Sequence, residues 1–244
     1  EMSASLVGSE MCIRDRSLED SELRLMGRTH TADEARHIIL LSKKVGFTRL
    51  SCDLIYGYPT QTAASVEASL TELMALGPSH ISIYGLSVEP GTVLSHNLRQ
   101  GRWILPTDDE TGNMYDLIMD RLVKGGYERY EISNFAKAGD KSRHNLVYWH
   151  YNPYLAFGAG ATRFDGRTRE NNPAYLAAYE RGEAPEIECL SPAVQREEMI
   201  FMNLRTVRGL SLLDYEARFG RSFAFDYGPQ IENLIHKGWA KWED

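Results

Sequence analysis

The run Phe47-Thr48-Arg49-Leu50-Ser51-Cys52-Asp53-Leu54-Ile55-Tyr56 is rich in β-branched and aromatic residues, and Gly57-Tyr58-Pro59 breaks it. It reads as a strand. Upstream, Thr31-Ala32-Asp33-Glu34 has capping-box spacing: Thr31 caps a helix and Glu34 returns the bond. Ala35, Ile38, Ile39 and Val45 then form an apolar stripe, and Gly46 is the stop. Downstream, Thr62 caps a second helix with the stripe Val66, Leu70, Leu73 and Met74, ended by Gly77-Pro78. Ile81-Ser82-Ile83-Tyr84-Gly85-Leu86 is the next strand. Helix, strand, helix, strand at short spacing implies parallel strands joined by crossover helices. A third helix starts at the box Thr107-Asp108-Asp109-Glu110 and runs to Gly125-Gly126, with a strand over Tyr127 to Ile132. The class is α/β; periodicity leaves a barrel and a doubly wound sheet both open.

Beyond Gly166 the texture changes. Pro173 to Gly182, Ser191 to Thr206, Ser211 to Phe219 and Tyr227 to Lys237 read as helices, so this part is a separate, mostly helical unit. Ser191-Pro192 is a helix start with proline at the first helical position. Both ends look unnatural. Residues 1–16 show no sustained helical or strand period, and Ser5 to Arg16 resembles a translated sequencing adapter. They are set aside as a non-native leader. Gly238-Trp239-Ala240-Lys241-Trp242-Glu243-Asp244 stops in what reads as the start of a strand. The expectation is a fragment truncated at both ends.

The net charge of −7 argues against a general nucleic-acid surface, which needs clustered cations. No apolar run is long enough to span a bilayer. Three scattered cysteines, Cys12, Cys52 and Cys189, make neither a disulfide framework nor an iron–sulfur ligand set, and point to a reducing, cytoplasmic setting. No Ser-His-Asp pattern, Walker loop or zinc spacing is present, and no catalytic residue is assigned.

Two places could carry chemistry. Asp53 interrupts an apolar strand, so its carboxylate must be hydrogen-bonded or face a polar lumen. A structural cap and a ligand-binding acid both fit. Arg143-His144-Asn145-Leu146-Val147-Tyr148-Trp149 sets an imidazole beside large aromatics, which suits a flat ligand; a structural hydrogen-bond hub in a loop fits too. Arg143, Arg163, Arg167 and Arg169 could receive propionates or simply be solvated. His37, His80, His150 and His236 read as ordinary surface or packing histidines. Gly158-Ala159-Gly160-Ala161 is either a tight turn or a backbone that approaches a cofactor closely.

Several motifs in order carry a resemblance. Asp53-Leu54-Ile55-Tyr56-Gly57-Tyr58-Pro59-Thr60-Gln61-Thr62 resembles the DLIYGLPxQT signature of the HemW haem chaperones and the related oxygen-independent coproporphyrinogen III oxidases, which are radical-SAM proteins. Gly27-Arg28-Thr29-His30 resembles GRxH, and Tyr130 to Ala136 resembles the YEISNFA element of the HemW branch. His144 to Trp149 resembles its HNxxYW motif. The likeness runs from about Ser17 to Asp244. It implies the later part of a radical-SAM partial (β/α) barrel over 17–105 and a connecting α/β segment over 106–170. A truncated helical C-terminal domain of the HemW type follows over 171–244. It implies S-adenosylmethionine contacts at Arg28, Asp53, Ser87 and Phe164, and haem contacts at His144, Tyr148 and Trp149. It also implies a [4Fe–4S] cluster in a full-length parent, although the CxxxCxxC triplet that would hold it is missing here. The implied partners are haem and a haem-acceptor protein, including one at a membrane, with homodimerisation a further expectation. The function implied is haem carriage; the alternative is coproporphyrinogen III oxidation.

Overall fold

The computed structural model describes residues 4–7 and 10–242. Residues 1–3, 8–9 and 243–244 lie outside the described residues. The chain divides into two compact units, Glu1–Ser142 and Arg143–Asp244.

In the first unit, strands β1 (Ala4–Val7), β2 (Glu10–Arg16), β3 (Arg49–Tyr56), β4 (His80–Gly85), β5 (Glu128–Arg129) and β6 (Asn134–Ala136) form one sheet, ordered β1-β2-β3-β4-β6-β5. β2, β3 and β4 are parallel neighbours, and β1, β6 and β5 add antiparallel edges. Helices α1 (Asp20–Leu25) and α2 (Ala32–Lys44) connect β2 to β3. α3 (Ala63–Leu76) connects β3 to β4, and α4 (Val93–Arg99) and α5 (Asp108–Lys124) follow. The Thr31/Glu34 and Thr107/Glu110 capping boxes form as the spacing predicts. Thr62 caps α3, and Ser65 returns the bond in the role a glutamate plays elsewhere.

One face of the sheet carries Ile13, Leu50, Cys52, Leu54, Ile81, Ile83 and Phe135. These pack in a single core with Ala35 and Ile39 of α2, Val66, Leu70 and Leu73 of α3, and Met114, Ile118 and Leu122 of α5. Each fully buried Leu or Ile contributes about 1.5–3 kcal/mol by leaving water. All three long helices cover the same face, and successive parallel strands add on the same side. That is the winding of a partial barrel, not of a doubly wound sheet. By the two-residue alternation of strands, Ser51, Asp53, His80, Ser82 and Asn134 lie on the opposite, polar face.

Two expectations fail in this unit. Residues 10–16, read as having no strand period, form β2, which pairs along β3 and buries Ile13 completely. The expected strand Tyr127 to Ile132 shortens to β5. The chain then turns, and β6, which the sequence did not suggest, makes the bond to β4.

The second unit holds α6 (Arg143–Trp149), a three-stranded antiparallel sheet of β7 (Thr162–Phe164), β8 (Thr168–Asn171) and β9 (Glu186–Cys189), and α7 (Leu176–Glu180). Helices α8 (Pro192–Leu204), α9 (Leu212–Phe219) and α10 (Phe223–His236) complete it. Tyr151, Phe164, Leu190, Met199, Tyr215 and Phe223 form its core. It is therefore more mixed than expected, since β9 lies in a stretch read as helical country. α10 begins at Phe223 instead of Tyr227, because Ser222 caps it by accepting the Phe225 N–H at 3.3 Å. No strand forms over 238–242.

Candidate functional site

Asp53 sits mid-strand on the polar face, 5% exposed, in register with Ser82, which in turn pairs with Asn134. The Cys12 thiol donates to its Oδ1 at 3.7 Å. Burial raises the pKa of Asp53, while the Ser82 hydroxyl and the charges of Arg16 and Arg14 oppose the rise. Arg28, just past α1, donates from Nη2 to the Arg14 carbonyl at 3.2 Å, and its Nε has no acceptor among the described residues. Partial burial and the neighbouring Arg16 and Arg14 lower its pKa. Asp15 interacts electrostatically with both Arg28 and Asp53, so the two family-matched residues share β2 as a neighbour.

Asp15 was missed by sequence reasoning. Its side chain is wholly buried, and neither carboxylate oxygen meets hydrogen-bond geometry, although the Cys52 thiol faces it. Burial pushes its pKa up to about 7. The cue in the sequence was a carboxylate two positions after Ile13, and so on the same strand face, in a segment set aside. His80, read as ordinary, is a buried hub: Nδ1 meets Ser51 Oγ at 2.8 Å and Nε2 meets Tyr130 Oη at 2.7 Å. Burial, aided by Arg49, lowers its pKa to about 4.

Ser87 and Phe164, the two remaining expected contacts, each have local partners. Ser87 follows β4 on an exposed loop and donates to Glu89 at 2.8 Å. Phe164 belongs to the second unit, where its ring packs on Tyr151 and Tyr154 at 4.9 and 5.9 Å. Much of the DLIYGYPTQT stretch is fastening. Gln61 accepts the Tyr58 N–H at 2.8 Å and donates to the Ile55 carbonyl at 3.0 Å and to Glu22 at 2.7 Å. Buried Glu22 also accepts from Ser17 at 2.7 Å and Ser65 at 3.0 Å. Gly57 turns the chain at φ +82° with Thr111 only 3.5 Å from where a Cβ would stand.

The donors do not fit an iron–sulfur cluster. Cys12 and Cys52 are held protonated by burial, Cys12 with its pKa up to about 11, and Cys189 is exposed on the other unit. Among the described residues no three His, Cys, Asp or Glu side chains converge as a metal site. The hydroxyl and carboxylate set of Asp53 and Ser82, with Arg28 nearby, does fit the polar parts of a nucleoside ligand.

The second candidate is α6. The HNxxYW stretch is a helix, not a loop. His144 is exposed, and its ring meets Tyr148 edge-on at 5.0 Å; Tyr148 packs on Tyr154 at 4.6 Å. Residues four apart share a helix face, so His144 and Tyr148 come together. Trp149 is rotated away from that face and lies under Arg205, whose guanidinium stands 4.6 Å from the ring centroid. Of the arginines considered for propionates, Arg163 pairs with Glu170, and Arg169 with Glu188 at 3.2 Å and with Glu198. The Gly158–Ala161 turn is tied locally: Tyr179 Oη accepts from Gly158 N at 3.2 Å, and Gly158 O accepts from Asn172 at 2.9 Å.

Residues 190–243 match the model of the HemN C-terminal domain family. The heme chaperone HemW of Lactococcus lactis subsp. lactis (strain IL1403) is 36% identical over 219 residues, covering 88% of this chain and 58% of that protein. HemW of Bacillus subtilis (strain 168) is 34% identical, covering 91% and 60%. The mitochondrial radical S-adenosyl methionine domain-containing protein 1 of Mus musculus is 37% identical, covering 91% and 54%. Among solved structures, coproporphyrinogen III oxidase (HemN) from Escherichia coli, a radical SAM enzyme, superposes with a TM-score of 0.74 at 18% identity. That match covers 93% of this chain and 56% of that one, and it supports the fold alone. The chain thus spans about six-tenths of the length of these curated HemW relatives.

Proposed function

We propose that this HemW-like chain is part of a haem carrier, which binds haem on α6 and passes it to an acceptor protein. The observation that carries the reading is the exposed His144 imidazole, backed by Tyr148 and Tyr154 on one face. Imidazole is a common protein ligand for haem iron, and stacked aromatic rings suit a macrocycle edge. Arg28 and Asp53 would hold S-adenosylmethionine through its carboxylate and ribose hydroxyls. When bound, that ligand would supply a fixed sulfonium charge. A [4Fe–4S] cluster would need the cysteine triplet of a longer parent. No described helix is long and apolar enough to cross a membrane, and a cytoplasmic carrier is the reading we adopt.

Haemin titration of the chain and of its full-length parent tests this. His144→Ala should weaken binding or move the Soret band. An unchanged spectrum and affinity would remove His144 from the site. The fold shared with HemN keeps porphyrinogen oxidation as the rival reading. Robust decarboxylation of coproporphyrinogen III by the parent with reductant and S-adenosylmethionine would make that rival correct.

A further inference from the structure

Trp149 ends α6, and its carbonyl accepts the Asn203 side-chain amide at 3.1 Å, which ties α6 to the last turn of α8. Two residues on, Arg205 folds back so that its guanidinium covers the Trp149 ring at 4.6 Å and reaches the Phe201 ring at 5.9 Å. In the same unit Arg163, Arg169, Arg181 and Arg208 each hold a carboxylate. Arg205 holds none among the described residues. Both Trp149 Nε1 and Arg205 Nε are covered by neighbouring protein atoms and have no acceptor among the described residues.

An indole N–H and a guanidinium N–H can only donate. Leaving one such donor buried and unpaired costs about 1–3 kcal/mol, so two of them on a stacked guanidinium–indole pair that holds no carboxylate require an explanation. The group that answers both donors and the charge is an oxyanion, and the planar guanidinium fork favours a carboxylate. Phe201, one turn before Arg205, and Leu204, immediately before it, are 61% and 62% exposed and offer apolar surface. The matching ligand therefore has an apolar body and a carboxylate arm.

We propose that Arg205 and Trp149 form a carboxylate site that takes a propionate of the porphyrin. The proposal rests on the haem reading and gives Trp149 a different part in it. Its indole N–H fixes an acid group, while His144 and Tyr148 form the separate face of α6. His144 and Trp149, five residues apart, are separated by about 7.5 Å along the helix axis.

The test compares zinc protoporphyrin IX with its dimethyl ester, whose arms carry no charge. Binding is measured by porphyrin fluorescence on the intact chain and on Arg205→Met, Arg205→Lys and Trp149→Phe variants, each checked for folding by circular dichroism. Arg205→Met should weaken binding of the free acid about tenfold or more and leave the ester unchanged. Arg205→Lys should recover part of the loss, because it restores charge without the fork. The Trp149 indole N–H resonance, assigned by its absence in Trp149→Phe, should move downfield with the acid and not with the ester. Equal losses for acid and ester, or a stationary indole signal while the acid binds, would overturn the carboxylate site and leave the carrier reading standing. Binding of neither porphyrin would overturn both.

Discussion

The pH dependence of stability offers a test of the first unit that needs no ligand. His80 Nε2 lies 2.7 Å from Tyr130 Oη, which also accepts the Ser142 N–H at 3.3 Å, and Nδ1 lies 2.8 Å from Ser51 Oγ. Burial, aided by Arg49, holds the pKa at about 4 against an ordinary 6.5. The unfolded chain takes up the imidazolium proton first, so His80 stabilises the fold above pH 6.5 by about 3 kcal/mol and loses this as pH falls to 4. Asp15 has the opposite sign. Its pKa is raised from 3.8 to about 7, so the folded chain keeps a proton that the unfolded chain has lost. Its contribution, about 4 kcal/mol, is present below pH 4 and disappears as pH rises to 7. The two slopes nearly cancel, so the native profile between pH 4 and 7 should be shallow. Urea unfolding at closely spaced pH values separates them. Relative to the native chain, His80→Gln should become progressively less unstable towards pH 4, and Asp15→Asn should gain stability towards pH 7. Two variants with profiles parallel to the native one would refute the assignment of both buried groups.

Further outcomes follow from single contacts. Glu22→Ala takes the acceptor from the buried Ser17 hydroxyl and one of two acceptors from the Gln61 amide, and should cost about 2–4 kcal/mol by urea titration. A loss under 1 kcal/mol would show the network to be incidental. Gly57→Ala places a Cβ at φ +82° close to Thr111 and should lower stability by about 1 kcal/mol or more. Anaerobic reconstitution of this chain with iron and sulfide should leave no cluster spectrum, because its thiols are scattered and the two on the sheet are held protonated. About four irons per chain with cluster absorbance would contradict this.

What was legible in the sequence was whatever depends on near neighbours along the chain. The Thr31/Glu34 and Thr107/Glu110 boxes are three-residue signals, and both form. The apolar stripes of α2 and α3 marked the core face, and Asp53 stood out because it interrupts an apolar run. β2 was illegible for a physical reason. Its inward positions include both Ile13 and Asp15, so its pattern is unlike an apolar strand until Leu50, Cys52 and Leu54 are set beside it.

The small sheet of the second unit failed in another way. Its strands Thr-Arg-Phe, Thr-Arg-Glu-Asn and Glu-Ile-Glu-Cys carry little apolar signal, because cross-strand charge pairs contribute to their stability. Arg163 lies directly opposite Glu170, and Arg169 directly opposite Glu188, and each pair forms an ion bridge. Hydrophobic periodicity cannot register such pairing, and the same arginines looked like free cations for propionates. Once those are taken by glutamates, the search for an acid-binding group in this unit moves to an arginine that no carboxylate holds. Arg205 lies 56 residues beyond the end of the motif that first suggested a porphyrin. Only the fold sets it over Trp149, the motif's last residue.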